Sequence, residues 1–243
     1  MHPINGFETC RPHLSETGFA VVENLYSDAE IEVILAVIDG ADATKATFRK
    51  AADLFAIRQF LKELPEAVPL LFNARLRTLL QDVLGSRFFV VKSIYFDKPP
   101  ASNWYVPYHQ DLTISVDAKA TIDGFSTWTV KQNQFAVQPP VSILEAITTV
   151  RIHLDDTDEN NGALSVIPHS HLAGIRRPET LNQNRETEAL CAVRKGGIML
   201  MKPLTLHRSG RTTNNARRRV VHIELSHVEL PDGLHWAERL ELQ

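Results

Sequence analysis

His109-Gln110-Asp111 is the segment of this 243-residue chain whose residue types and spacing come nearest to chemistry. In an extended strand, residues i and i+2 project to the same face. The imidazole and the carboxylate then converge on one point. One nitrogen and one oxygen ligand make two thirds of a facial triad, a set that suits non-haem Fe(II) and leaves positions open. A His-x-Asp pair by itself is also a common structural accident, and Asp111 would equally serve to cap a turn. The third ligand has to come from elsewhere. Among the ten histidines, His153, His169, His171, His207 and His222 are candidates. His207 is the best placed, after the strand-like run Gly197 to Met201 and eleven positions before Arg218. An inward Arg is a rigid two-pronged donor for a carboxylate. A triad followed by such an Arg meets the needs of an iron site with an anionic cosubstrate.

The elements that must position these residues fall into two textures. The N-terminal third reads as mostly helical. Gly18 to Val22 is a short strand, and Ser27-Asp28-Ala29-Glu30 has the form of a capping box. Apolar residues at 31, 34, 35 and 38 continue it at helical spacing. A second helix is expected through Leu54, Phe55, Arg58, Leu61 and Leu64, stopping before Pro65. A third is expected from near Pro69 through Phe72, Leu76, Leu79, Leu80 and Val83 to Gly85. Beyond Gly85 the chain reads as strands: Phe88 to Phe96, Ile147 to Leu154, Ala163 to Ile167, Gly197 to Met201 and Arg218 to Ser226, divided by Pro, Gly, Asn and Asp clusters. The fold class is mainly β with N-terminal helices, a sandwich or small barrel flanked by α-helices. With no repeat, low-complexity tract or linker, residues 1–243 read as one domain, with a helical preface over about 27–85 and a strand-rich core over about 86–228. The long polar segment 117–140, with Phe125, Trp128 and Phe135, has the character of a lid.

Composition narrows the function classes. Hydrophobic residues are 44% and charged residues 23%, as in ordinary globular chains, and the formal net charge of −3 gives no global basic excess for nucleic acid. Cys10 and Cys191 stand far apart and make neither a disulfide framework nor a cysteine zinc site. They read as reduced thiols of a cytoplasmic protein. Met1 to Gly6 lacks the basic and apolar regions of a signal peptide, and no apolar run approaches a membrane span. The expected partner is a small molecule; oligomeric state is not legible.

Several blocks, in order, resemble the phytanoyl-CoA dioxygenase family of Fe(II)/2-oxoglutarate-dependent oxygenases. They are Gly18 to Asn24, Asp97-Lys98-Pro99-Pro100 before His109-Gln110-Asp111-Leu112, the central stretch Leu154 to Pro168 with His169-Ser170-His171, and His207 to Arg218. The resemblance implies a double-stranded β-helix (jelly-roll, cupin-like) core. It implies Fe(II) held by His109, Asp111 and His207, with 2-oxoglutarate and O2 as cosubstrates. It also implies a salt bridge from Arg218 to the distal carboxylate of 2-oxoglutarate, with Ser209 as a nearby hydroxyl. Arg151 stands where some relatives carry a large aromatic, and would bring a second cation to the cosubstrate. Asp111 is retained where halogenating relatives have a small residue, so the resemblance implies hydroxylation of a small or medium organic substrate with release of succinate and CO2, or a related oxidation, rather than halogenation. The other readings are a cupin-like metal hydrolase and a non-catalytic protein that binds metal or 2-oxoglutarate.

Lesser candidates remain. Lys92 shares a strand face with Ile94 and Phe96, which directs it to the cosubstrate or, snorkelling, to solvent. Arg151 and His153 share a face, as pocket residues or as a buried hydrogen-bonded pair. Trp104 (after Asn103), Tyr108 and Trp128 are aromatic near the expected mouth, as substrate walls or ordinary packing. Alternation puts Arg218 and His222 on one face of the last strand, and Arg217 and Arg219 on the other, where solvent is the expected surrounding. His169 and His171 read as structural or rim residues, and Asp155 to Glu159 as a solvated turn rather than a calcium loop.

Overall fold

A computed structural model describes residues 9–242, apart from 43, 52, 53, 101, 103, 132, 133 and 178–186. The readings on Met1 to Gly6 and on Asn103 therefore lie outside the described residues. The first elements are α1 (Cys10–Thr17), β1 (Phe19–Val22), α2 (Asp28–Asp39), β2 (Phe48–Ala51), β3 (Leu54–Arg58), α3 (Phe60–Glu63), α4 (Ala67–Leu71) and α5 (Ala74–Leu84). Then follow β4 (Phe89–Lys98), β5 (Val106–His109), β6 (Ile114–Val116), β7 (Ser126–Lys131), β8 (Gln134–Gln138), α6 (Val141–Glu145), β9 (Thr148–His153) and β10 (Leu164–Val166). The last are β11 (Ala189–Cys191), β12 (Ile198–Met201), β13 (His207–Ser209), β14 (Arg218–Ser226) and β15 (Leu240–Glu241).

The helices form where their ends are satisfied. Ser27 and Glu30 make the expected reciprocal capping box at α2, and Ile31, Ile34, Leu35 and Ile38 are all buried. The stretch expected as one helix to Gly85 is broken into α4 and α5, because the Asn73 side chain accepts from the Leu76 amide at 2.9 Å and starts a new helix. The helix expected from Leu54 to Leu64 is instead strand β3, a left-handed Gln59 and the single turn α3. The stretch from Leu54 to Arg58 is too short to separate the two periodicities. Pairing decides: Phe55 and Ile57 sit opposite Asp97 and Tyr95 of β4.

The large sheet has the order β1-β12-β9-β14-β4-β3-β2, with β15 also on β4, and every pairing is antiparallel. Its central strands are covered on both faces, and all six residues of β9 are buried. One face carries Ile57, Tyr95, Val150, Ile152, Ile198, Leu200, Val221 and Ile223, in a single core with Ile31, Ile34, Leu71, Leu76, Leu79 and Leu80 of the helices. The opposite face meets a smaller sheet, β11-β10-β13-β5, through Phe19, Met199 and Met201 on one side and Leu164, Val166 and Cys191 on the other. This is the mainly β, jelly-roll class expected, with helices on one outer face.

The segment 117–140 contains regular structure: β7 and β8 within it form a hairpin, paired with β6 in a third sheet. Phe125, Trp128 and Phe135 pack on a separate core that includes Ile114, Val116, Val137 and Trp236. Aromatic side chains that gain that much apolar burial at one site are not free to cover another. Cys10 and Cys191 are free and buried. Among the described residues, no helix is long and apolar enough to cross a membrane.

Leu79 is fully buried between helix and sheet. Leu79→Ala is expected to lower unfolding stability in urea by about 2–5 kcal/mol, and Ser27→Ala by only about 1 kcal/mol. Glu238 supplies a pH test. Burial pushes its carboxyl up to about 7, although hydrogen bonds from Ser93 and the charges of Lys62 and Lys92 oppose the rise. The folded state therefore holds this proton more tightly than the unfolded chain does, and the resulting stability is lost as pH rises from about 4 to about 7. Glu238→Gln should gain stability relative to the parent protein on going from pH 5 to pH 8 in paired urea titrations; a constant difference would refute this assignment.

Candidate metal centre

Backbone pairing brings the three candidate ligands together. His207 of β13 lies directly opposite His109 of β5. Pairing of β5 ends at His109, and the Asp111 amide then donates to Pro203 O at 2.9 Å. Between them Gln110 is pinned by its side-chain amide to the carbonyls of Gly174 (2.9 Å) and Leu204 (2.6 Å). One ligand atom from each of His109, Asp111 and His207 lies within 4.8 Å of the others, close enough to share one ion. His109 Nε2 stands 3.9 Å from Asp111 Oδ1, and His207 Nε2 stands 3.8 Å from Asp111 Oδ2.

The tautomers suit a ligand role. His109 Nδ1 donates to Pro107 O and His207 Nδ1 to Thr205 O, each at 2.9 Å. Both Nε2 lone pairs are thereby left for the centre, the usual arrangement of a metal-binding imidazole. Burial lowers His207 to about 4, against the pull of Asp111, so it is neutral at pH 7. Burial opposes ionisation of Asp111, but the neighbouring His207, His222, Lys92 and His109 outweigh it, and the carboxyl is held well below its ordinary range. His207 and His222 are themselves driven toward the neutral form by burial.

The centre opens into a cavity of about 250 Å³ between the two sheets, lined by Lys92, Ile94, Phe96, Trp104, Val106, Arg151, Leu164, Ser209, Arg218 and His222, besides the triad. Arg218 Nη1 and Ser209 Oγ both donate to Gly162 O. Arg218 Nε and Arg151 Nε are buried without a hydrogen-bond partner among the described residues. Burial, and then Arg151, pull the Arg218 guanidinium down to about 9. Burial pulls Arg151 down to about 10, with Asp111 and Cys191 opposing. Both stay protonated at neutral pH, as buried charges with too little negative charge beside them. Gly162 fits here only as glycine, because its φ is +85° and a Cβ would stand 2.8 Å from Gly210 O.

The other candidates separate cleanly. Lys92 reaches the cavity wall but is bound to Glu224 at 2.7 Å. Trp104 lines the cavity beside Phe96. Tyr108 does not. A bulge sets Val106 and His109 against Ser209 and His207, so both face the cavity and Tyr108 turns outward to Glu188 and Arg208. Trp128 is absent from the cavity for the packing reason given above. His153 bonds Thr157, while His169 and His171 bond the carbonyls of Glu16 and Ser15. Arg217 pairs with Asp97 and Arg219 with Asp155, off the cavity. The sequence reading assigned no role to Arg49, Arg58 or Glu224. For Arg58 the helix expected from Leu54 to Leu64 conceals the alternation that turns it inward, and Arg49 lies in β2, a strand the sequence pattern does not announce.

The family model for phytanoyl-CoA dioxygenase (PhyH) matches residues 14–220. No curated protein matches the sequence. Among solved structures, EctD from S. alaskensis with 2-oxoglutarate and 5-hydroxyectoine superposes with a TM-score of 0.70 at 18% identity, over 98% of this chain and 79% of that one. The 2-oxoglutarate-dependent carbocyclase SnoK of nogalamycin biosynthesis gives 0.68 at 16% identity, over 100% and 98%. The epimerase SnoN of the same biosynthesis gives 0.69 at 15%, over 92% and 83%. At such identities the likeness carries the fold. The family match spans the strands that bring His109, Asp111 and His207 together, and by it the chain belongs to the phytanoyl-CoA dioxygenase family of Fe(II)/2-oxoglutarate-dependent oxygenases.

Proposed function

We propose that the protein hydroxylates a small organic substrate, with His109, Asp111 and His207 holding Fe(II) and Arg218 gripping the distal carboxylate of 2-oxoglutarate. The observation that carries this reading is the meeting, in one cavity, of a two-His, one-carboxylate set and two buried guanidinium groups short of negative charge. The donor set fits iron: two imidazoles with inward Nε2 atoms and one ionised carboxylate. Bound Fe(II) and 2-oxoglutarate supply the oxidising chemistry, in which O2 is reduced, the cosubstrate becomes succinate and CO2, and one oxygen atom is delivered to the substrate.

The chain's residues do the positioning. Backbone carbonyls fix both imidazole rings. Gly162 O orients Arg218 and Ser209 together, and Arg218 Nε, without a partner among the described residues, is the donor that would meet the distal carboxylate of 2-oxoglutarate. Arg151 donates to His222 Nδ1 at 3.0 Å, so His222 carries its proton on Nε2 and donates to Glu224 at 3.2 Å. Glu224 in turn holds Lys92. This chain of contacts keeps Arg151 and Lys92 extended along the cavity wall. Ile94, Phe96, Val106 and Leu164 keep the wall apolar and limit water. Hydroxylation is the outcome most directly served by an intact carboxylate ligand. The epimerase and carbocyclase among the similar structures make product identification part of the test.

Anaerobic titration with Fe(II) and then 2-oxoglutarate should produce a weak visible charge-transfer band. His207→Ala should abolish it. Arg218→Ala should weaken 2-oxoglutarate binding about tenfold or more, the scale of a lost charge-assisted hydrogen bond. Metal bound with no band would overturn the proposal in favour of the hydrolase reading. Gly162→Ala should raise the 2-oxoglutarate Kd at least about tenfold with Fe(II) affinity retained, since the carbonyl that orients Arg218 must shift. Unchanged affinity would show that Gly162 does not set the Arg218 position.

A further inference from the structure

Arg49 and Arg58 stand on the outer wall of the same cavity, and the chemistry above makes no use of them. In the β2–β3 hairpin Arg49 lies opposite Ala56, and Arg58 is two residues beyond Ala56. All three therefore project to the inner face. A cross-strand row runs Arg58, Ile94, His222, Arg151 over β3, β4, β14 and β9. Neighbouring strands are about 4.8 Å apart, so the backbone of Arg58 is about 14 Å from that of Arg151. Arg151 and Arg218 are buried at the inner end, Arg58 is half-buried, and Arg49 is exposed at the mouth.

Five other arginines of this chain find carboxylates: Arg75 with Glu30, Arg208 with Glu188, Arg217 with Asp97, Arg219 with Asp155 and Arg239 with Glu229. Among the described residues, neither Arg49 nor Arg58 has a hydrogen bond or ion pair from its guanidinium, and the charge that bears on Arg58 is that of Arg49. Two like charges are held side by side on a wall otherwise made of Ala56, Ile94, Phe96, Trp104 and Val106. With Fe(II) and the 2-oxoglutarate dianion in place, Asp111, Arg151 and Arg218 already leave the inner chamber slightly positive. The mouth pair adds two further charges, and no acid answers them among the lining residues.

We propose that Arg49 and Arg58 are the specificity residues for the substrate's own oxyanion: the substrate is a small molecule with a carboxylate or phosphate on an apolar body, its anion at the mouth and its body against Phe96 and Trp104. The inference rests on the oxygenase reading for the word substrate. A guanidinium pair presents forked donors that match either oxyanion, and the cavity admits a small molecule.

The test is calorimetric titration of the anaerobic Fe(II)- and 2-oxoglutarate-loaded protein, and of the metal-free protein, with 3-phenylpropionate, phenyl phosphate and the neutral 3-phenylpropanamide. Saturating 2-oxoglutarate keeps the probes out of the cosubstrate position. At least one anion should bind about tenfold or more tightly than the amide, and the ratio of the two anions identifies the oxyanion. The R49Q/R58Q double variant should lose that preference, with its melting temperature and 2-oxoglutarate affinity unchanged. R49K/R58K, which keeps charge but not the fork, should restore part of it. Equal binding of anion and amide, no anion binding at millimolar concentration, or a preference that survives R49Q/R58Q overturns the proposal. So does an equal loss of 2-oxoglutarate affinity in R49Q/R58Q, which would assign the pair to the cosubstrate. If the parent protein fails to bind Fe(II) and 2-oxoglutarate, the oxygenase reading falls, and an anion preference that depends on Arg49 and Arg58 in the metal-free protein leaves the mouth site standing.

Discussion

Uncompensated positive charge on the inner face of the large sheet is what the rest of the structure must accommodate. Among the described residues, Arg151 and Arg218 are buried there without carboxylate partners of their own. Removing such a charge from water costs several kcal/mol. The same strands carry the compensating term on their other face. Val150, Ile152, Val221 and Ile223 alternate with Arg151, Arg218 and His222 and are buried against the helices. Each such side chain contributes about 1.5–3 kcal/mol on burial. The helical layer is therefore part of the site's energetics, because it buries the outer face of a sheet whose inner face would otherwise favour solvation.

Order within the site comes from neutral contacts more than from ion pairs. Backbone carbonyls at Pro107 and Thr205 choose the imidazole tautomers, and Gly162 O sets Arg218. Where an ion pair does occur, at Lys92 and Glu224, it silences a cation that would otherwise compete for the same anions. The result is graded. Lys92 is neutralised, Arg151 is tethered through His222, Arg218 keeps a free Nε, and Arg49 and Arg58 at the mouth are unanswered by any described acid.

Local signals were legible where one short-range rule governs. The capping box at Ser27, the strand from Arg218 to Ser226 and the inward face shared by Arg218 and His222 all follow from spacing. Signals failed where pairing with a distant segment decided the outcome. Leu54 to Arg58 carries a pattern compatible with a helix, but β4 offers it a partner, and Arg58 within it lines the cavity together with Arg49 of the strand paired beside it. Tyr108 adjoins the inward His109, so alternation turns it away from the cavity, and one bulged residue brings Val106 rather than Tyr108 to the inner face. Trp128 was drawn to a separate apolar core by Val116 and Val137, residues adjacent to it only in space.

By itself the sequence determined the residue types that can bind a metal and an anion, their order along the chain, and the mainly β class with its helical preface. Hydrophobic periodicity, caps and short motifs are local properties, and they survive without knowledge of neighbours. Only the tertiary structure decided that His109 and His207 face each other across two short strands, that Arg151 and Arg218 lie buried beside them without acids of their own, and that Arg49 and Arg58 stand at the mouth. Those facts depend on strand register, and register is set by which distant segment pairs with which, not by any window of the chain.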